Sequence, residues 1–96
     1  MGKNKKVLRF DGNYDFYMNK GVEYAKDGDY LKALRYLFGA SEKKPSDVDT
    51  MLHVALVYQK MGLLEMSNSA LYSVLAVHHE NQAACVMLGQ NYSSLT

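Results

Sequence analysis

The stretch GVEYAKDG at residues 21–28 returns as ALVYQKMG at 55–62 and begins again as GQNY at 89–92. Three series share this interval of 34 residues. Gly21, Ala55 and Gly89 are small, Tyr24, Tyr58 and Tyr92 are aromatic, and Gly28 and Gly62 close the first two copies. Three matched series on one spacing mark an internal repeat, and the sequence around each copy says what is repeated.

Tyr17, Gly21 and Tyr24 lie at i, i+4 and i+7, one face of a helix predicted from about Asn13 to Asp27. Gly28 supplies a left-handed stop, and Asp29 offers an N-cap for the next helix. That helix puts Tyr30, Ala33, Leu34, Leu37 and Phe38 on one side, and it closes at Pro45. A second unit follows, opened by a capping box of Ser46 with Asp49. Its first helix runs from about Asp47 to Met61 with Met51, Ala55 and Tyr58 on the equivalent face. Gly62 ends that helix. A fourth helix lines its inner side with Leu64, Ser67, Leu71, Val74 and Leu75 and stops near His78, His79 and Glu80. A fifth, from about Gln82 to Ser94, carries Cys85, Leu88, Gly89 and Tyr92.

These residues resemble the tetratricopeptide-repeat (TPR) family. Gly21, Tyr24, Ala33, Ala40 and Pro45 match the pattern in the first unit, with Tyr17 and Leu37 in place of the usual Trp and Phe and Lys20 departing from a Leu. Tyr58 matches in the second unit, Ala55 and Ser67 keep the small size, Leu71 stands at the Leu37 place, and His79 replaces the proline. Leu88, Gly89 and Tyr92 match in the half unit. The resemblance implies an all-α, right-handed superhelix of antiparallel helix pairs with five helices. Its parts would be a basic N-terminal segment (1–12), repeat 1 (13–47), repeat 2 (48–81) and, at 82–96, a capping helix or the first helix of a third repeat. Small residues would let paired helices approach, with Gly21, Ala33 and Ala40 as contact points. The tyrosines would fill the space between pairs, each burying a large ring, so Tyr24→Ala or Tyr58→Ala would each cost about 3–5 kcal/mol.

Composition narrows the function. With 11 basic and 10 acidic residues in 96, no whole-chain field argues for nucleic acid or an anionic membrane. Lys3, Lys5, Lys6 and Arg9 make a local basic start, read as a solvated tail. No run approaches the roughly 18 apolar residues of a membrane span, and Arg9 and Asp11 interrupt any secretory core. Lys6 stands where a myristoylation signal needs Ser or Thr. The lone Cys85, in an apolar run, is expected to be a buried thiol in a reducing, cytoplasmic setting.

In a TPR stack the first helix of each pair lines the concave face. The resemblance therefore implies a partner groove of Met18, Asn19 and Val22, then Leu52, His53 and Leu56, then Val86, Met87 and Gln90. The groove is apolar, and the third helix is apolar on nearly every side, so an apolar peptide or partner helix suits it. Two other occupants stay open: the N-terminal Val7, Leu8 and Phe10, or a second copy of the chain. Family members that grip acidic chaperone tails use a clamp of Lys, Asn and Arg. The matching positions here are Met18, Val22, His53, Ala83 and Met87, which lack the converging cations.

No enzyme constellation, cofactor motif or metal site emerges. Asp11, Asn13 and Asp15 imitate an EF-hand start, but Phe16 and Val22 occupy its Gly and Glu places. His78, His79, Glu80 and Cys85 lack metal-ligand spacing, and Asn91-Tyr92-Ser93 is a chance glycosylation match inside a helix. The reading is a protein-interaction module, with a self-associating unit or the front of a longer array as the alternative. The half repeat leads to the expectation of a homodimer in isolation.

Overall fold

A computed structural model describes residues 12–95. They form five helices: α1 (Tyr14–Lys26), α2 (Tyr30–Lys43), α3 (Val48–Lys60), α4 (Leu64–Val77) and α5 (Gln82–Leu95). No strand occurs among the described residues. The basic segment expected at 1–12 lies outside them except for Gly12.

Backbone hydrogen bonding repeats as the sequence does. Asn13, Asp47 and Asn81, again 34 residues apart, each accept a bond from the backbone N–H three places on, at 2.8 Å from Phe16, 2.9 Å from Thr50 and 2.9 Å from Ala84. A side-chain oxygen there satisfies an amide that the first helical turn leaves unpaired. Asp47, rather than the expected Ser46, therefore caps α3, because it lies one residue closer to the helix.

The α1–α2 and α3–α4 turns close by a different device. Gly28 and Gly62 both have φ of 80°, a conformation that a Cβ opposes. The N–H of Asp29 then reaches Tyr24 O, and that of Leu63 reaches Tyr58 O, each at 2.9 Å. Gly28 and Gly62 donate to Ala25 O and Gln59 O, each at 3.0 Å. This is a Schellman closure, made wholly by backbone. It explains why Asp29, expected as a side-chain cap, makes no such bond and why Leu63 serves at the same place.

Each helix packs on the next, and α1 touches α3 as α3 touches α5. Gly21, mid-α1, meets Leu37, mid-α2, while Ser67 Oγ donates to Ala55 O at 2.8 Å. Such contacts across short turns make successive helices antiparallel. Between alternate helices the register is parallel: Tyr14 and Met18 meet Thr50, and Gln59 meets Gln90 and Asn91. A continuous core runs from Ala33 and Leu37 through Val54 and Val57 to Leu71 and Ala84. Gly21 sets the closest approach. A Cβ there would lie 2.7 Å from Leu37 Cγ and Cδ2.

The fifth helix docks through a buried amide. Asn91, noted in the sequence as part of a chance glycosylation match, is 1% exposed. Its Nδ2 donates to Ser67 Oγ at 2.9 Å and Asn68 Oδ1 at 2.8 Å, and its Oδ1 accepts from Gln59 Nε2 at 2.8 Å. One repeat earlier the same three places are Ala33, Leu34 and Val57, all buried and apolar. A single junction type is thus built once from hydrocarbon and once from amides.

Four further expectations are corrected. Cys85 is exposed, not buried, because the Asn81 cap phases α5 so that Ala84 and Asn91 face inward. Phe38 is 44% exposed rather than on the inner side. Tyr24 meets a ring within its own pair. It stacks on Tyr36 of its own partner helix, centroids 5.4 Å apart, and is partly buried, so its loss costs less than the full range for a buried ring. Tyr92 is 47% exposed, with its hydroxyl 2.7 Å from that of Tyr72.

Asn91→Ala should destabilise the protein by about 1–3 kcal/mol, since it leaves the buried Asn68 Oδ1 without its donor and takes one bond from Ser67. Urea unfolding followed by far-UV circular dichroism measures the loss.

Candidate functional site

A cavity of about 260 Å³ opens among α1, α2 and α3. Its walls are Val22 and Ala25 from α1, Tyr30 and Leu37 from α2, and Leu56 and Val57 from α3. Gly21 borders it, and the missing side chain there leaves Leu37 as part of the wall. The polar lining is His53 with Lys26 and Lys60.

The two lysines hold equivalent places, 34 residues apart, in the last turns of α1 and α3. Each lysine sits at the negative end of its helix dipole, where a cation is favoured. Among the described residues neither has a carboxylate within ion-pair distance; the ion pairs present are Lys20 with Glu23 and Lys32 with Asp29. His53 Nδ1 lies 2.8 Å from Asp49 O. A carbonyl can only accept, so Nδ1 carries the proton and a neutral ring keeps Nε2 as an acceptor.

The nine residues expected to form one groove separate into three groups. Val22, His53 and Leu56 line the cavity. Met18 and Leu52 pack against the core instead, with Met18 Sδ 3.4 Å from Thr50 Oγ1, and Asn19 is exposed away from the cavity lining. Val86, Met87 and Gln90 line a shallow depression on α5 alone, with Gln82 and Ala83. The cause lies at one repeat position. Ala25 leaves space beside α3, whereas Gln59, its counterpart one repeat on, reaches across to Gln90 and Asn91 and occupies the next junction. Ala25, Lys26, Tyr30 and Lys60 were missed as lining residues. The matched lysines of the two repeated stretches were the available signal.

At the opposite end of α1 a polar latch joins α1 to α3. Tyr14 Oη donates to Asp47 Oδ2, the Thr50 hydroxyl donates to the same oxygen at 2.9 Å, and Lys44 Nζ lies 4.0 Å from the Tyr14 ring centroid. Partial burial pushes the Asp47 carboxyl up. The bonds it accepts from Tyr14 and Thr50, with Lys44 nearby, outweigh that and hold it below the usual carboxylate range. Burial, then the bond to Asp47, raises the Tyr14 phenol.

Among the described residues no group of three His, Cys, Asp or Glu side chains could hold a metal ion, and no helix is long and apolar enough to cross a membrane. No protein-family model and no curated protein sequence matches the chain.

Asp47→Ala should cost about 1–2 kcal/mol near neutral pH, the range for an N-cap. The folded-state carboxyl titrates below its unfolded value, so this stability is held above about pH 4 and is lost as pH falls through the folded pKa. Urea midpoints of wild type and variant should therefore converge in acid.

Proposed function

We propose that this chain is a TPR-like protein-interaction module, a right-handed stack of helix pairs that takes a peptide segment of another protein in the α1–α2–α3 cavity. It works by binding and carries out no reaction. The partner segment inserts one apolar side chain between Val22 and Leu56 and sets a carboxylate near Lys26 or Lys60. A cytoplasmic, reducing setting suits an exposed, unpaired Cys85.

The single observation behind this reading is the cavity: apolar walls, an open mouth and two ammonium groups unmatched by acid among the described residues. Few well-placed polar groups around an apolar recess are the usual makeup of a binding site. The 34-residue return of caps, Schellman turns and small contact residues supports the TPR-like arrangement. The polar contribution is a rim effect, so it should act on association rate and salt dependence more than on affinity.

An unbiased displayed-peptide library selected on the purified protein tests this. Recovered peptides should share an apolar residue with an acidic neighbour, and Leu56→Asp should abolish recovery while leaving the helical circular dichroism spectrum unchanged. Equal recovery on wild type and Leu56→Asp would contradict the proposed site.

A further inference from the structure

The outer face of α5 is the second surface left unmatched among the described residues, and the repeat itself shows what such a face receives. In the first unit Tyr17, Gly21 and Tyr24 face α2: Gly21 is buried against Leu37, and Tyr17 and Tyr24 contact Tyr36. In the second unit Ala55 is fully buried, and Ser67 of α4 bonds to its carbonyl. The third set is Cys85, Gly89 and Tyr92. Cys85 is exposed, Tyr92 is half exposed, and a Cβ built on Gly89 meets nothing within 4 Å. Among the described residues, the same helix face that is covered twice by an antiparallel helix stands open the third time.

The charge pattern selects the occupant. Residues 82–95 contain no Asp, Glu, Lys, Arg or His, whereas each of α1 to α4 carries at least one acidic side chain. Two-fold pairing brings a patch against its own copy, so any charge on it is opposed by an identical charge. An uncharged helix avoids that cost. A two-fold axis across α5 also makes the two α5 helices antiparallel, the relation α2 has to α1 and α4 has to α3. Head-to-tail stacking would offer α1 instead, whose small-residue face Leu37 already fills and which carries Asp15, Lys20, Glu23 and Lys26. We infer that a second copy of this chain covers the face, α5 against α5, with Gly89 at the closest approach and Cys85 and Tyr92 packed around it.

A 14-residue helix is about 21 Å long. Pairing along one such helix buries less than the roughly 1,200 Å² of a standard stable interface, so the dimer is weak and concentration-dependent. This inference is independent of the α1–α2–α3 cavity, which stays open in the dimer.

Sedimentation velocity of the full chain from about 5 μM to about 500 μM, the range of weak association, tests the pairing. Wild type should move from monomer to dimer across that range. Gly89→Glu should stay monomeric with unchanged helicity, because the added side chain has open space in the monomer but meets its own charge in the pair. As a second readout, labelling of Cys85 by a neutral thiol reagent should slow about threefold or more at the highest concentration as the dimer fills. A wild-type monomer throughout would overturn the inference and leave the face to a different helix. A Gly89→Glu protein that dimerises like wild type, or Cys85 labelling unaffected by dimer formation, would overturn it equally by placing the contact elsewhere.

Discussion

Two helix backbones can approach closely only where side chains get out of the way, and in the first unit that place is Gly21. Leu37 occupies the space a Cβ would take. From that contact follow the angle of α2, the seat of Leu37 at zero exposure in the core and the cavity that Leu37 helps to wall. Ala55 repeats the arrangement with one carbon more, and Ser67 adds a hydrogen bond to its carbonyl. Gly89 repeats it without a partner helix. The stack is thus one local packing rule applied three times, and the third application is incomplete among the described residues.

The junctions between units show that the rule constrains shape more tightly than chemistry. Ala33, Leu34 and Val57 fill one junction, and Ser67, Asn68 and Asn91 fill its counterpart. An amide cluster works there because its buried groups satisfy one another, with no buried side-chain polar atom lacking a partner among the described residues. The replacement has a functional consequence. Gln59, part of that cluster, occupies the space that Ala25 leaves open one repeat earlier. The chain therefore has a cavity at its first junction and a polar clasp at its second.

Helix number, helix type and most boundaries were legible because they are local. Glycines with positive φ, cap residues and apolar spacing act within a turn or two of chain. The core positions Ala33, Leu37, Ala55 and Leu71 were legible through the repeat. What escaped was whatever depended on helix phase or on a neighbour's side chain. Asn91 looks solvent-facing from composition, and only the phase set by the Asn81 cap buries it. Cys85 looks buried beside Val86 and Met87, yet the same phase turns it outward. For the groove, assigning every first-helix residue to one continuous surface ignored that Met18 is taken up by Thr50 and that Gln59 divides the face. Lys26 and Lys60 were visible as a matched pair in sequence, but their position at the mouth of a cavity required the third dimension.

The most direct test of the account is a double-mutant cycle on Gly21 and Leu37, read by urea unfolding. If close approach at this point sets the fold, Gly21→Ala overpacks the wild type by about 1–3 kcal/mol and costs little in a Leu37→Ala background, where the opposing atoms are gone. Equal penalties in the two backgrounds would mean that the helices do not meet there, and the packing rule on which the stack depends would be wrong.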